Sequence, residues 1–228
     1  MKTPVIDNLD SALDGTGLIL RGCFHPEPAD AVPGLADGRP ALTVAVIGNA
    51  GGALWERFAV ACPTPTGRNP LEDWLAPIVR GIAEGLGGQA VLPKDGPPYP
   101  PMQRWAKRAE PAYSSPIGIL IHPEYGLWHA YRGAMLFPER HAFTPRRDLP
   151  SPCESCAERA CLSSCPVGAF STEGYDVPAC VARLNDETGA DCRDGCLARR
   201  ACPIGRAWRY PIPASQFHMS SMARAFST

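Results

Sequence analysis

The chain has 228 residues, 45% of them hydrophobic, with 22 basic against 23 acidic side chains and no long run of like charge. That composition supports a packed core and excludes wholesale disorder, and a net charge near zero leaves no electrostatic footprint for nucleic acid or a membrane surface. The N-terminal stretch MKTPVIDNLDSALDG is polar and acidic and lacks the basic and apolar regions of a signal peptide. The longest apolar runs, 41–48 and 116–121, fall far short of the ~20 residues that span a bilayer. A cytoplasmic protein is expected, and there ten cysteines point to metal ligation before disulfides.

In chain order, residues 17–24 (GLILRGCF) and 41–48 (ALTVAVIG) read as strands, being short, apolar and rich in strand formers. The Gly-rich stretch 48–52 reads as a tight turn into a helix starting near Ala53; it does not match the phosphate-binding fingerprints. The next helix spans 69–86. Asn69 suits its N-cap and Pro70 its first turn, while Leu71, Leu75, Ile78, Val79, Ile82 and Leu86 share one face. Pro77 predicts a kink or break within it. A strand at 89–92, a short helix at 102–109 and strands at 118–122 and 128–137 complete an α+β domain over residues 1–142. The proline-rich segment 143–152 reads as a linker. A second domain covers 153–206, and 207–228 forms a C-terminal tail that packs back and then frays.

Eight of the ten cysteines fall between 153 and 202. The first group is Cys153-x2-Cys156-x4-Cys161-x3-Cys165-Pro166; the second is Cys180, then Cys192-x3-Cys196-x5-Cys202-Pro203. Both groups end in Cys-Pro. In two-cluster ferredoxins the cysteine before proline ligates the other half's cluster. By that logic Cys153, Cys156, Cys161 and Cys202 hold one [4Fe-4S] cluster, and Cys165, Cys180, Cys192 and Cys196 hold the other. The competing reading is a pair of four-cysteine zinc sites, with disulfides a third. Zinc ribbons show paired C-x2-C knuckles and have no need of a terminal Cys-Pro. Cys23 and Cys62 have no partner at ligand spacing and read as buried free thiols.

Residues 153–205 resemble the ferredoxin-like domain of epoxyqueuosine reductase, which has C-x2-C-x2-C-x3-C-P, an isolated cysteine and a second group ending in Cys-Pro. Two extra residues precede Cys161 in this chain, and Cys180 stands where the isolated cysteine belongs. The first domain resembles the cobalamin-processing CblC family, which shares a nitroreductase-like α+β fold with the front half of epoxyqueuosine reductase. The best match is HPEYGLWHAYRGAMLFP at 122–138; weaker similarity covers 46–58 and 90–109. The resemblance implies a corrinoid (cobalamin) or a flavin in the first domain, reduced through the clusters. His122, Trp128, His129 and Arg132, with Trp105 after the loop 97–101, are the candidate cofactor contacts. The implied partner is an electron donor such as a flavodoxin, ferredoxin or reductase. A transfer-RNA substrate is not expected, because the helical repeats that follow in epoxyqueuosine reductase are missing. Two other readings stay open: a carrier that docks to a partner oxidoreductase with no substrate of its own, and a flavin-containing iron–sulfur reductase.

Overall fold

The computed structural model describes residues 5–171 and 174–226; residues 1–4 of the expected first domain and 227–228 of the expected tail lie outside them. Two compact units emerge. One comprises residues 1–111 and 130–148, the other 112–129 and 149–228. The chain therefore crosses from one unit to the other three times. Residues 112–129 join the cysteine-bearing unit, whereas the sequence reading counted them with the first domain.

The first unit is built on a four-stranded sheet in the order β1-β2-β6-β3, with β1 at Ile19–Phe24, β2 at Thr43–Ala50, β3 at Gln89–Val91 and β6 at His129–Phe137. Every residue of β2 is buried, as the apolar run 44–47 at its centre requires of a strand covered on both faces. Helix α4 (Met102–Ala109) covers one face through Met102, Trp105 and Ala109, which pack with Phe24, Val44, Val46 and Leu136. Helices α1 (Val5–Leu13), α2 (Ala53–Ala61) and α3 (Pro70–Gly85) pack along β1, β2 and β3 respectively. Two expectations are corrected. The stretch 5–13, read as polar, is a helix that buries Ile6, Leu9 and Leu13. Pro77 does not break α3, which runs through it without interruption; Pro77 is exposed, so its ring meets solvent and not the core.

The second unit contains a two-stranded sheet of β4 (Tyr113–Ser114) and β5 (Leu120–Ile121), and a hairpin of β7 (Phe170–Ser171) and β8 (Gly174–Tyr175). Its helices are short: α5 (Ala160–Ser163), α6 (Val177–Asn185), α7 (Ala190–Arg193) and α8 (Leu197–Ala201). Asp176 caps α6 by accepting from the Ala179 N–H, and Pro178 sits in its first turn. The tail forms α9 (Ile212–Phe226), which packs on α6 and α7. No helix of the described residues is long and apolar enough to cross a membrane.

Candidate metal centre

The eight clustered cysteines fall into two sets. Cys153, Cys156, Cys161 and Cys202 line one small cavity, closed by apolar side chains such as Ile121 and Ile204, with Arg159 also on its wall. Burial raises the thiols of Cys153 and Cys202, and the sulfurs of this set raise one another further. Cys165, Cys180 and Cys196 gather near Tyr175. Burial pushes its hydroxyl up, and so do a hydrogen bond to Cys180 and the charges of Cys196 and Cys165. Burial likewise raises Cys192 and Cys196; Cys196 adds to the rise of Cys192, and Cys180 to that of Cys196.

The crossing has a simple local cause. Helices α5 and α8 pack against each other. Cys161 lies in the first turn of α5 and Cys165 just beyond its end; Cys196 precedes α8 and Cys202 follows it. The beginning of one helix thus meets the end of the other, and each helix delivers one cysteine to each quartet. Cys153, Cys161, Cys165, Cys196 and Cys202 all lie against one apolar cluster of Ile117, Ile121, Leu127, Ala198 and Phe170. Among the described residues no group of three or more His, Cys, Asp or Glu is spaced to hold a single metal ion. Eight soft thiolate donors in apolar surroundings suit an iron–sulfur cluster as they suit zinc.

Arginines flank both quartets. Arg159 opposes the rise of Cys153 and Cys161, and Arg206 that of Cys202. Arg183 hydrogen-bonds Cys192, and Arg199 acts on Cys196. Arg159 sits at φ 42°, in the left-handed region that costs a non-glycine residue about 1–2 kcal/mol. It lies in the four-residue spacer between Cys156 and Cys161.

The five candidate cofactor contacts divide between the two units. Trp105 is a core residue with no exposure, its indole N–H donating to the Asp30 carbonyl at 2.8 Å, so it lines no flat ligand. His122, Trp128 and His129 belong to the cysteine-bearing unit and are all buried. His122 Nδ1 accepts from the N–H groups of Glu124 and Tyr125, and its ring stacks on Tyr125 at 4.4 Å. His129 Nε2 lies 3.1 Å from the Leu120 carbonyl. Trp128 packs edge-on against Tyr210 at 5.6 Å; its indole N–H has no acceptor among the described residues.

Arg132 lines a cavity. In the first unit a space of about 300 Å³ is lined by Leu75, Leu92 and Pro93 on its apolar side and by Lys94, Tyr131 and Arg132 on its polar side. Arg132 donates to the Asn49 side chain at 2.9 Å and lies 3.4 Å from Glu72. Behind Tyr131 is a buried network that sequence reasoning missed. Arg21 grips Glu110 through two bonds, 3.1 and 2.6 Å long. Tyr131 donates to the same carboxylate at 2.6 Å, and Arg21 also donates to the Asn49 carbonyl. The signal was faint: the register of β1 slips between Leu20 and Gly22. That bulge turns Arg21 into the interior.

No protein-family model matches the sequence, and no curated protein does. Solved structures do. An epoxyqueuosine reductase from Bacillus subtilis aligns with 91% of this chain at 17% identity and a TM-score of 0.53, and one from Streptococcus thermophilus aligns with 91% at 16% and 0.52. The chain spans 66% of the length of each of those reductases. The C. elegans B12-trafficking protein CblC aligns over 98% of both chains at 14% identity and a TM-score of 0.52. The mixed α+β fold is therefore of the kind that epoxyqueuosine reductases and CblC share.

Proposed function

We propose that this chain is an iron–sulfur electron-transfer protein, a cytoplasmic reductase whose second unit is ferredoxin-like and holds two [4Fe-4S] clusters. The observation that carries this is that Cys153, Cys156, Cys161 and Cys202 line one cavity while Cys165, Cys180 and Cys196 gather near Tyr175. Such clusters, when bound, supply one-electron transfer at potentials set by hydrogen bonds, charge and burial. The chain's own part is to present eight sulfurs, to keep water away with Ile121, Leu127, Ala198 and Phe170, and to place arginines beside the thiolates. The acceptor in this reading is a corrinoid held by the first unit. Support comes from the likeness to CblC over both whole chains and from Arg132 at the cavity wall, where a cation suits a phosphate or a carboxamide oxygen. A cavity of about 300 Å³ takes one end of a corrinoid and not the whole.

Anaerobic purification with iron, sulfide and cofactor analysis tests this. About eight iron and eight sulfide per chain are expected; stoichiometric zinc without visible absorbance refutes the electron-transfer reading. Cobalamin added to the protein should change its corrin absorption bands on binding. Arg132→Ala should weaken that binding and leave the iron content unchanged. A second reading is favoured by the burial of four of the five expected contacts: a carrier that passes electrons to a partner and has no substrate of its own. Full iron with no corrinoid affinity at micromolar concentration selects it, and flavin released on denaturation selects a flavin-dependent reductase.

A further inference from the structure

The two quartets differ in how the nearest positive charge is held. Beside the first, Arg159 and Arg206 are exposed, so water and salt screen them. Beside the second, Arg183 is shared with Asp191, 3.1 Å away. Arg199 is held differently. Its guanidinium carbon lies 4.7 Å from the centre of the Trp128 ring and 4.5 Å from that of Tyr210. Its Nε and Nη2 both donate to the Leu127 carbonyl, at 2.9 and 2.5 Å. Among the described residues no carboxylate pairs with it. A carbonyl is a dipole and does not neutralise a full charge, and aromatic walls keep the field from being screened. Cys196 lies three residues earlier, at the N-cap of the same helix, and its sulfur accepts the Arg199 backbone N–H and feels the Arg199 charge.

We propose that Arg199 is the built-in counter-charge of the second quartet and raises the reduction potential of the cluster held there, relative to the cluster of the first quartet. The inference rests on the two-cluster reading above. Its physical basis is that reduction adds an electron to an already negative group. A fixed, partly buried cation therefore stabilises the reduced form over the oxidised one.

The test uses full-length protein carrying its clusters, with potentials read by electron paramagnetic resonance during a dithionite titration. The second cluster is identified as the one lost in Cys180→Ser. Arg199→Gln keeps a donor for the Leu127 carbonyl and removes the charge; the second cluster should become at least tenfold harder to reduce, a fall of about 59 mV for one electron. The first cluster should move less. Arg199→Lys retains the charge and should keep most of the wild-type potential. Tyr210→Leu leaves the charge but admits water, and should lower the second potential by less than Arg199→Gln does. Both clusters present with unmoved potentials in Arg199→Gln overturn the proposal, as do equal falls in the Gln and Lys variants. Should Arg199→Gln fail to assemble the second cluster, an unmoved potential in Tyr210→Leu overturns it instead. Zinc, or about four iron, in the wild-type protein counts against the two-cluster reading itself, which separates the two failures.

Discussion

Gly126 and Gly205 meet backbone to backbone: a Cβ on Gly205 would stand 2.5 Å from the Gly126 nitrogen. Both residues have positive φ, 58° and 70°. Gly126 also closes a two-way bridge with His122, with both bonds at 2.9 Å. This crossing fastens the 122–126 turn to the segment just after Cys202-Pro203, and Tyr125 on Trp208 at 4.9 Å extends it. The HPEYGLWH segment is thus part of the frame around the cysteines. Gly205→Ala should destabilise this unit by about 2 kcal/mol or more, since it adds both a clash and an unfavourable φ. The variant should melt several degrees lower and retain less iron; an unchanged melting temperature would refute the role given to this contact.

Crossed ligation makes opposite predictions for the two Cys-Pro cysteines. Cys165→Ser should disturb the cluster of Cys180, Cys192 and Cys196 and spare that of Cys153, Cys156 and Cys161. Cys202→Ser should do the reverse. Iron content and paramagnetic resonance of the two variants decide the matter, and loss of the first-group cluster from Cys165→Ser would show that each half is self-contained.

The Arg21–Glu110 pair is buried, with side-chain exposures of 0% and 8%. Removing one partner strands a charge, so Glu110→Leu should cost about 3–5 kcal/mol in urea denaturation. The double variant Arg21→Met with Glu110→Leu should recover most of that loss. Tyr131→Phe should cost about 1–2 kcal/mol, because the Glu110 carboxylate then loses its 2.6 Å donor. Additive single and double effects would mean that the two side chains do not act as a pair.

The two cysteines outside the quartets should differ in reactivity. Cys23 is 3% exposed, and burial, with Asp10 nearby, pushes its thiol up to about 12. At pH 8 only about one part in ten thousand is thiolate. Cys62 is half-buried at the end of α2. Iodoacetamide on the folded protein, mapped by mass spectrometry, should mark Cys62 and leave Cys23 intact until denaturant is added. Equal labelling would contradict the packing of β1.

The elements legible in the sequence are those whose period or chemistry is local. The apolar run of β2, the Asn69-Pro70 start of α3 and the bounds of α4 all answer to their own residues. The cysteine-rich region was legible too, because eight of the ten cysteines fall between 153 and 202. What stayed hidden depends on partners remote in sequence. A strand-like pattern over 118–122 says nothing about which unit it joins. Trp105 after a proline-rich loop reads equally well as a cofactor wall or a core side chain, and only burial beneath the sheet settles it. Helix α1 was missed although Ile6, Leu9 and Leu13 carry its period, because the acidic residues between them mask the stripe.

The place of β6 in the sheet order bears on how the protein is made. β6 lies between β2 and β3, yet it is the last of the four to be synthesised. Until residue 137 leaves the ribosome, β2 has β1 on one edge and nothing on the other, and β3 has no strand beside it at all. The loop that must close is long, and its closure precedes the reward of pairing. A nascent chain would thus show an apolar strand edge while much of it is still being translated, the condition under which chaperones bind and edge-to-edge aggregation competes.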